Sequence, residues 1–406
     1  MKTFIDNVID FTKDWESPTS FWKWASYAIV GAALRDAVWW RVAGTKICPN
    51  MFVLLNAPSG KHRKSGPINL AGDLLRKIQT PSKLIEGRSS IQGIMKELSS
   101  SYNDRDTGIR KKGGSGIILS GELSSSLVNA EELVPILTDF YDYKEKFTKR
   151  LSGEENTVIS NLCVSLLGGS NDDLLQIVYT AKAVKGGLLG RTFLIKPDEY
   201  RPGWSGLQVD SEDIEMQDKM HEEKKGELVK QLDEIAKLSG KIAFTYAAKA
   251  EFDKWYKGVH DSLEKKEDGI GIMSRIHISA LKVSVVLCLC NTHELVVQKE
   301  HILQGIDECM KLVRNYEMYT MSIGESDKAA ATAKFLTALW AFGGEANRRQ
   351  ILGKHWADFT AAVLDEIVKT LSEAGLIEQD FRDGESYVMT HRCREIFSKG
   401  GIGGKT

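Results

Sequence analysis

The stretch Pro49-Asn-Met-Phe-Val-Leu-Leu-Asn-Ala-Pro-Ser-Gly-Lys-His-Arg-Lys-Ser-Gly-Pro-Ile68 constrains this chain more than any other. Phe52-Val-Leu-Leu55 is an apolar run of the kind buried on both faces of a parallel sheet. Small residues come next, then Lys64-Ser65, then a segment with Pro67 where proline favours a helix start and apolar residues at Ile68, Ala71, Leu74, Leu75 and Ile78. Strand, loop and helix in that order bring free backbone N–H groups to a helix N-terminus, where they attract an anion. A lysine reaching outer phosphates and an adjoining hydroxyl ligating magnesium complete a triphosphate site, with Pro58, Ser59, Gly60 and Lys64 on the phosphates and Ser65 on the metal. The strict spacing of such a loop is broken, because Arg63 precedes Lys64 and Pro58 stands where the first glycine belongs. The alternative is a surface turn rich in Lys and Arg.

The 406 residues, 42% apolar and 27% charged, suffice for two or three buried cores in an ordinary globular protein. A formal net charge of −1 supplies no overall basic field for nucleic acid, so any such binding has to come from local clusters. Cys48, Cys163, Cys288, Cys290, Cys309 and Cys393 lie mostly inside apolar runs without the paired spacing of a zinc site, and read as reduced core residues of a cytoplasmic protein. The most apolar stretches, Trp24 to Leu34 and Ala280 to Cys290, are each about half a membrane span, and nothing resembles a signal peptide. No membrane partner is expected.

Five segments are expected. Residues 1–48 form an aromatic-rich helical segment, with Phe21, Trp22, Trp24, Tyr27, Trp39 and Trp40 at roughly helical spacing as core. In residues 49–205, strands Met51 to Leu55, Gly116 to Leu119, Asn161 to Leu167 and Thr192 to Ile195 alternate with helices Ile68 to Ile78 and Ala130 to Tyr141, which predicts a three-layer α/β core on a parallel sheet. Residues 206–326 read as a helical lid or bundle, with the charged run Ser211 to Lys225 as a solvated helix face. In residues 327–397, helices over Ala329 to Ala341 and Phe359 to Leu371, a helix stop at Gly375 and two alternating runs around Arg382-Asp-Gly-Glu385 describe a winged helix, a module that binds either nucleic acid or protein. The Gly/Lys-rich tail 398–406 reads as disordered.

A phosphate loop needs a second strand with an acid at its tip to polarise the attacking water. Gly116-Ile-Ile-Leu-Ser-Gly-Glu-Leu123 places Glu122 there, although Gly121 stands where an aspartate would order the metal. The strand Asn161 to Leu167 ends near Ser170 and Asn171, either of which is placed to sense a γ-phosphate; a plain turn is the alternative. Arg191, between a glycine loop and an apolar strand, reads as an arginine finger or as a salt-bridged arginine capping the sheet. Two basic loops flank the glutamate strand, Arg110, Lys111 and Lys112 with Arg105, and Lys144, Lys146, Lys149 and Arg150. Interleaved Tyr102, Tyr141, Tyr143 and Phe147 suit a surface that tracks single-stranded DNA, while a merely solvated face is the other reading.

These motifs, in order, resemble a known family. Pro49-Asn-Met-Phe-Val-Leu-Leu with Ala57-Pro-Ser-Gly and Arg63-Lys-Ser65, then Ile118-Leu-Ser-Gly-Glu-Leu123, Leu137-Thr-Asp-Phe-Tyr-Asp142, Val164-Ser-Leu-Leu-Gly-Gly-Ser170, Gly190-Arg-Thr-Phe-Leu194 and Ser274-Arg-Ile-His-Ile-Ser-Ala-Leu-Lys-Val283 carry the resemblance. The family is the phage- and plasmid-encoded helicase ATPases, often fused to a primase or primase-polymerase, of the superfamily 3 and minichromosome-maintenance type within the AAA+ class. The resemblance implies a P-loop AAA+-like core with a winged helix behind it, using ATP and Mg2+. It makes Lys64 and Ser65 the phosphate and magnesium residues, Glu122 the catalytic base, Arg191 a finger acting in trans and Arg275 the second-sensor arginine. It further implies a homo-oligomer, a hexamer, that moves on single-stranded DNA through a channel lined by the basic loops in the host cytoplasm; primase or polymerase chemistry would need a partner on another chain or a removed domain. The departure at Gly121 puts strong hydrolysis in question and leaves a rival: an ATP-binding oligomeric scaffold or loader that unwinds nothing.

Overall fold

Phe52–Asn56 is buried at every position, as an apolar strand must be when helices cover both faces of its sheet. The computed structural model describes residues 2–79, 82–87, 90–103, 110–122, 130–149, 157–171, 187–201, 211–263, 271–322, 327–355, 360–381 and 384–394. Six strands build the central sheet: β1 (Phe52–Asn56), β2 (Lys83–Glu86), β3 (Ser115–Ser120), β4 (Lys144–Lys149), β5 (Thr157–Ser170) and β6 (Thr192–Ile195). Their order is β6-β1-β5-β3-β2 with every pairing on that path parallel, so the expected parallel α/β core is present. The edge strand β2 and the helix Ile91–Ser99 were not expected from the sequence. β2 has only one fully apolar pair of positions, Leu84-Ile85, too short a run to mark a strand.

The long strand β5 does two jobs. Its second half, Leu162 to Ser170, is buried in the sheet, whereas its first half pairs antiparallel with β4. Asn161 takes φ +53° at the junction, a conformation asparagine tolerates better than most residues, and its side chain accepts a hydrogen bond from the Tyr143 hydroxyl at 3.0 Å. What the sequence presents as a basic loop from Lys144 onward is therefore a hairpin arm. Ser101–Asn103 and Arg110–Lys112 likewise pair antiparallel. Alternation of polar and apolar residues is the strand signal, and lysines at both faces hide it.

Helix Thr19–Leu34 is buried nearly all round, as a helix without a polar stripe must be. It packs between Phe4–Phe11, Ser65–Lys77 and Ser211–Ala236. Gly31 allows the contact with the segment entering β1, since a Cβ there would lie 2.4 Å from the Pro49 carbonyl oxygen. Trp39 and Trp40, expected on a helix, lie instead on the hairpin Val38–Val42 with Thr45–Ile47. Ala43 and Gly44, at φ +47° and +83°, make the two-residue turn whose twist matches an antiparallel pair. Helix Ser211–Ala236 belongs to this body, with Lys225 paired to Asp73 at 2.7 Å and His221 packed on Phe11 at 4.5 Å.

The start of β1 is fastened by a buried lysine. Lys282, on helix Ile276–Asn291, donates to the Asn50 backbone oxygen at 2.8 Å and to its Oδ1 at 2.9 Å, and lies 3.7 Å from the Tyr141 ring centre. Asn50 Nδ2 in turn donates to the Tyr141 and Val164 carbonyls, both at 2.8 Å. Burial pushes the Lys282 ammonium down to about 8. A folded-state value below the unfolded one means that between the two the unfolded chain holds a proton the folded chain has released, so stability rises with pH across that window. The unfolding free energy of the wild type relative to Lys282→Met should therefore grow by roughly 3 kcal/mol from pH 7 to pH 10.5, measured by urea unfolding. A difference that does not change with pH would show that Lys282 titrates normally.

The chain divides into two compact units, Met1–Leu312 and Val313–Thr406. The second holds helices Asp327–Ala341, Arg348–His355 and Ala361–Glu373 and a three-stranded antiparallel sheet in the order Glu345–Asn347, Ser386–Met389, Ile377–Asp380. Phe335, Leu339, Ile351, Leu364 and Tyr387 form its core. Gly375, at φ +66°, ends the third helix where expected, and the Leu376 N–H closes back on the Leu371 carbonyl at 2.9 Å. No described helix is long and apolar enough to cross a membrane. All six cysteines are buried as free thiols. The tail 398–406 lies outside the described residues.

Candidate functional site

The β1–helix loop carries Pro58, Ser59 and Gly60, all exposed, and ends in half-buried Lys64 and exposed Ser65, the first residue of helix Ser65–Lys77. His62 and Arg63 take φ +60° and +40°, the left-handed region that a strict phosphate loop reaches with glycine. Two contacts hold Arg63 there: an ion pair with Glu16, and the Ser17 hydroxyl donating to the Arg63 carbonyl at 2.9 Å. Neighbouring chain thus supplies what the missing glycine would have supplied by itself. Lys64 Nζ donates to the carbonyls of Ala57 and Pro58, the latter at 3.2 Å, so an arriving anion competes with the loop's own oxygens.

The parallel register brings the other expected residues to the same end of the sheet. Asn56 pairs with Ser170, Ser120 pairs with Gly168, and the Ala57 N–H donates to the Ser170 carbonyl at 3.1 Å. β5, bearing Ser170, lies between β1 and the glutamate strand β3. Asn171 Nδ2 donates to the Ser59 hydroxyl at 3.1 Å, which ties the strand end to the loop. Gly169 lets the end of β3 close in, for a Cβ there would meet the Gly121 carbonyl oxygen at 2.2 Å and Ile68 Cδ1 at 3.6 Å. Glu122 comes next along the chain and is exposed. Pro58 to Ser65, Ser170, Asn171 and Glu122 therefore gather outside the carboxyl ends of β1, β5 and β3, the usual ligand position of an open α/β sheet. No metal-binding cluster of three His, Cys, Asp or Glu occurs among the described residues. A magnesium ion bound with a nucleotide is held largely by phosphate oxygens and waters, and Ser65, beside Lys64, is the protein group that would reach it. A side chain at Gly121 would meet open space, so the absence of an aspartate there is not steric.

Arg191 and Arg275 form a second cluster at the opposite end. Thr192 pairs with Phe52, so Arg191 stands level with Met51, five residues and roughly 16 Å from the loop's start. Its Nη2 pairs with Asp142 at 2.8 Å and its Nη1 donates to the Gly187 carbonyl at 3.1 Å, while Nε is buried without a hydrogen bond among the described residues. Arg275, immediately before helix Ile276–Asn291, reaches the same turn: a Cβ on Gly187 would lie 3.0 Å from Arg275 Nη2 and 3.1 Å from Arg191 Nη1. Asp142, Asn50 and Lys282 at this edge escaped sequence reasoning. All three lie inside runs that carry the resemblance, Pro49 to Leu55, Leu137 to Asp142 and Ser274 to Val283, but none has a role assigned from it.

The basic arm β4 begins at this same edge. Lys144 and Lys146 share one face of the strand and Lys149 lies on the other with Phe147. Lys144 is ion-paired with Asp139. Arg110, Lys111 and Lys112 form one strand of the second hairpin, and Arg105 and Arg150 lie outside the described residues. No family model matches the chain, and no curated protein does.

Proposed function

We propose that the chain is an ATP-driven, ring-forming DNA helicase of a mobile element, hexameric, with an AAA+-type ATPase body and a winged helix as its second unit. The observation that carries this reading is the separation of the two clusters by the length of one sheet. Lys64, Ser65, Ser170 and Glu122 suit binding and hydrolysis of Mg–ATP at one edge, and two guanidinium groups stand at the other, out of reach of that nucleotide. Arg191 Nε, which has no hydrogen-bond partner among the described residues, is a donor that a phosphoryl oxygen would satisfy. One subunit lacks what its neighbour presents, and a ring joins the two. Glu122 then accepts the proton of the attacking water, Lys64 and Ser65 hold the phosphates and metal, and the hairpin arms track single-stranded DNA.

Two observations favour the rival, an ATP-binding scaffold or loader in DNA replication that does not unwind: Gly121 in place of an aspartate, and Arg191 already paired with Asp142. Steady-state ATP turnover with and without single-stranded DNA separates the two. Stimulation by DNA supports the motor, and no stimulation supports the scaffold. Neutralising Lys144, Lys146 and Lys149 together should weaken single-strand binding and lower its log–log salt slope by about 0.7 per lost phosphate contact, leaving basal hydrolysis in place. If truncation after Ser326 removes binding while the triple variant leaves affinity and slope unchanged, the DNA site belongs to the second unit.

A further inference from the structure

We propose that Tyr200 and His62 form the nucleobase subsite of the nucleotide site, an inference that rests on the phosphate-loop reading above. Tyr200 is 76% exposed, yet its position is firmly held. On one side Glu199 accepts hydrogen bonds from the Thr19 N–H at 3.0 Å and the Thr19 hydroxyl at 2.6 Å. On the other, Arg201 donates to the Thr12 and Trp15 carbonyls at 3.0 and 3.3 Å and to the Thr19 hydroxyl. Both flanking residues are thus tied to the start of the buried helix Thr19–Leu34, and the ring between them stands in water at a fixed place.

That place is beside the phosphate loop. The Tyr200 and His62 ring centres are 5.6 Å apart with their planes at 81°. Such an edge-to-face contact covers at most one face of the tyrosine. His62 is set in the middle of the loop by its left-handed backbone, between Gly60 and Arg63. Its Nδ1 is shielded from solvent and makes no hydrogen bond among the described residues. Burial and the neighbouring charges of Lys61 and Lys64 lower the imidazole's pKa, which favours the neutral ring beside the tyrosine. A nucleotide whose phosphates lie on the loop carries its base one ribose away, and an anchored, exposed ring at that distance is what a base needs in order to stack. Stacking is sequence-tolerant because every base has a π-face. The basic hairpin arm begins at the opposite edge of the sheet, level with Leu162 rather than Ser170, so the ring belongs with the nucleotide rather than with a DNA strand.

Calorimetric titration of the full chain with magnesium and a non-hydrolysable ATP analogue, and separately with magnesium tripolyphosphate, tests the assignment. Tyr200→Ala should weaken the analogue on the order of tenfold and leave tripolyphosphate affinity unchanged, and Tyr200→Phe should bind as the wild type does. Unchanged analogue affinity in Tyr200→Ala would overturn the subsite while leaving the loop intact. So would an equal loss for both ligands, which would mark Tyr200 as structural, or a loss of oligo-dT binding alone, which would give the ring to DNA. A wild type that binds neither phosphate compound removes the loop reading and the subsite with it.

Discussion

Arg191→Ala should lower ATP turnover by roughly a thousandfold or more, the range in which arginine fingers act. The expected loss is in turnover rather than in binding, because Arg191 is roughly 16 Å along the strand from its own loop and cannot touch the nucleotide that loop holds. The same geometry makes the defect one that a neighbour can complement. Mixed with Lys64→Ala, the variant should regain part of the wild-type activity, since some interfaces then pair an intact loop with an intact arginine. Each protein alone should be inactive. Turnover measured across mixing ratios, with co-assembly checked by native mass spectrometry, decides the matter. Co-assembly without any recovery would return Arg191 to a structural role, in which its pair with Asp142 caps the sheet.

Lys64→Ala should abolish ATP binding. The ammonium is the one point charge of the loop aimed at its own carbonyls, Ala57 and Pro58, and therefore at the space an outer phosphate would take. Its removal should leave the fold intact, because the loop's unusual backbone is fixed by Glu16 and Ser17 acting on Arg63 and the strand beneath is buried throughout. Calorimetric titration with Mg–ATP, alongside a thermal melt, checks both halves. Tight binding by a variant that melts with the wild type would mean that the loop is the surface turn its Lys and Arg content also allows.

How legible this was differs from element to element. Phe52–Asn56, Ser115–Ser120 and Thr192–Ile195 were readable because a strand buried on both faces must be apolar throughout, and turn residues bound each run. Gly375 was readable because few residues other than glycine take a left-handed conformation at a helix end. The hairpin arm Lys144–Lys149 was not, since its lysines face both ways and its pairing partner begins eight residues later. Trp39 and Trp40 misled because tryptophan is at home in a buried helix and in a hairpin alike.

The site divides along the same line. Local order along the chain was enough to nominate Lys64 and Ser65, because strand, loop and helix are neighbours in sequence and their chemistry depends on adjacency alone. That Ser170 stands between the loop strand and the glutamate strand is a consequence of strand order, which no local pattern encodes. Arg63 holding a glycine's conformation depends on Glu16 and Ser17, far upstream. Arg191 and Arg275 meet at Gly187, and Lys282 reaches Asn50, only because the helix Ile276–Asn291 packs back onto the amino edge of the sheet. The sequence by itself nominated the residues for phosphate, acid and arginine chemistry. Only the tertiary structure decided that the loop, Ser170 and Glu122 share one end of the sheet while the arginines stand at the other, because parallel strands all point one way and hold the residues at their entry a full strand's length from the residues at their exit.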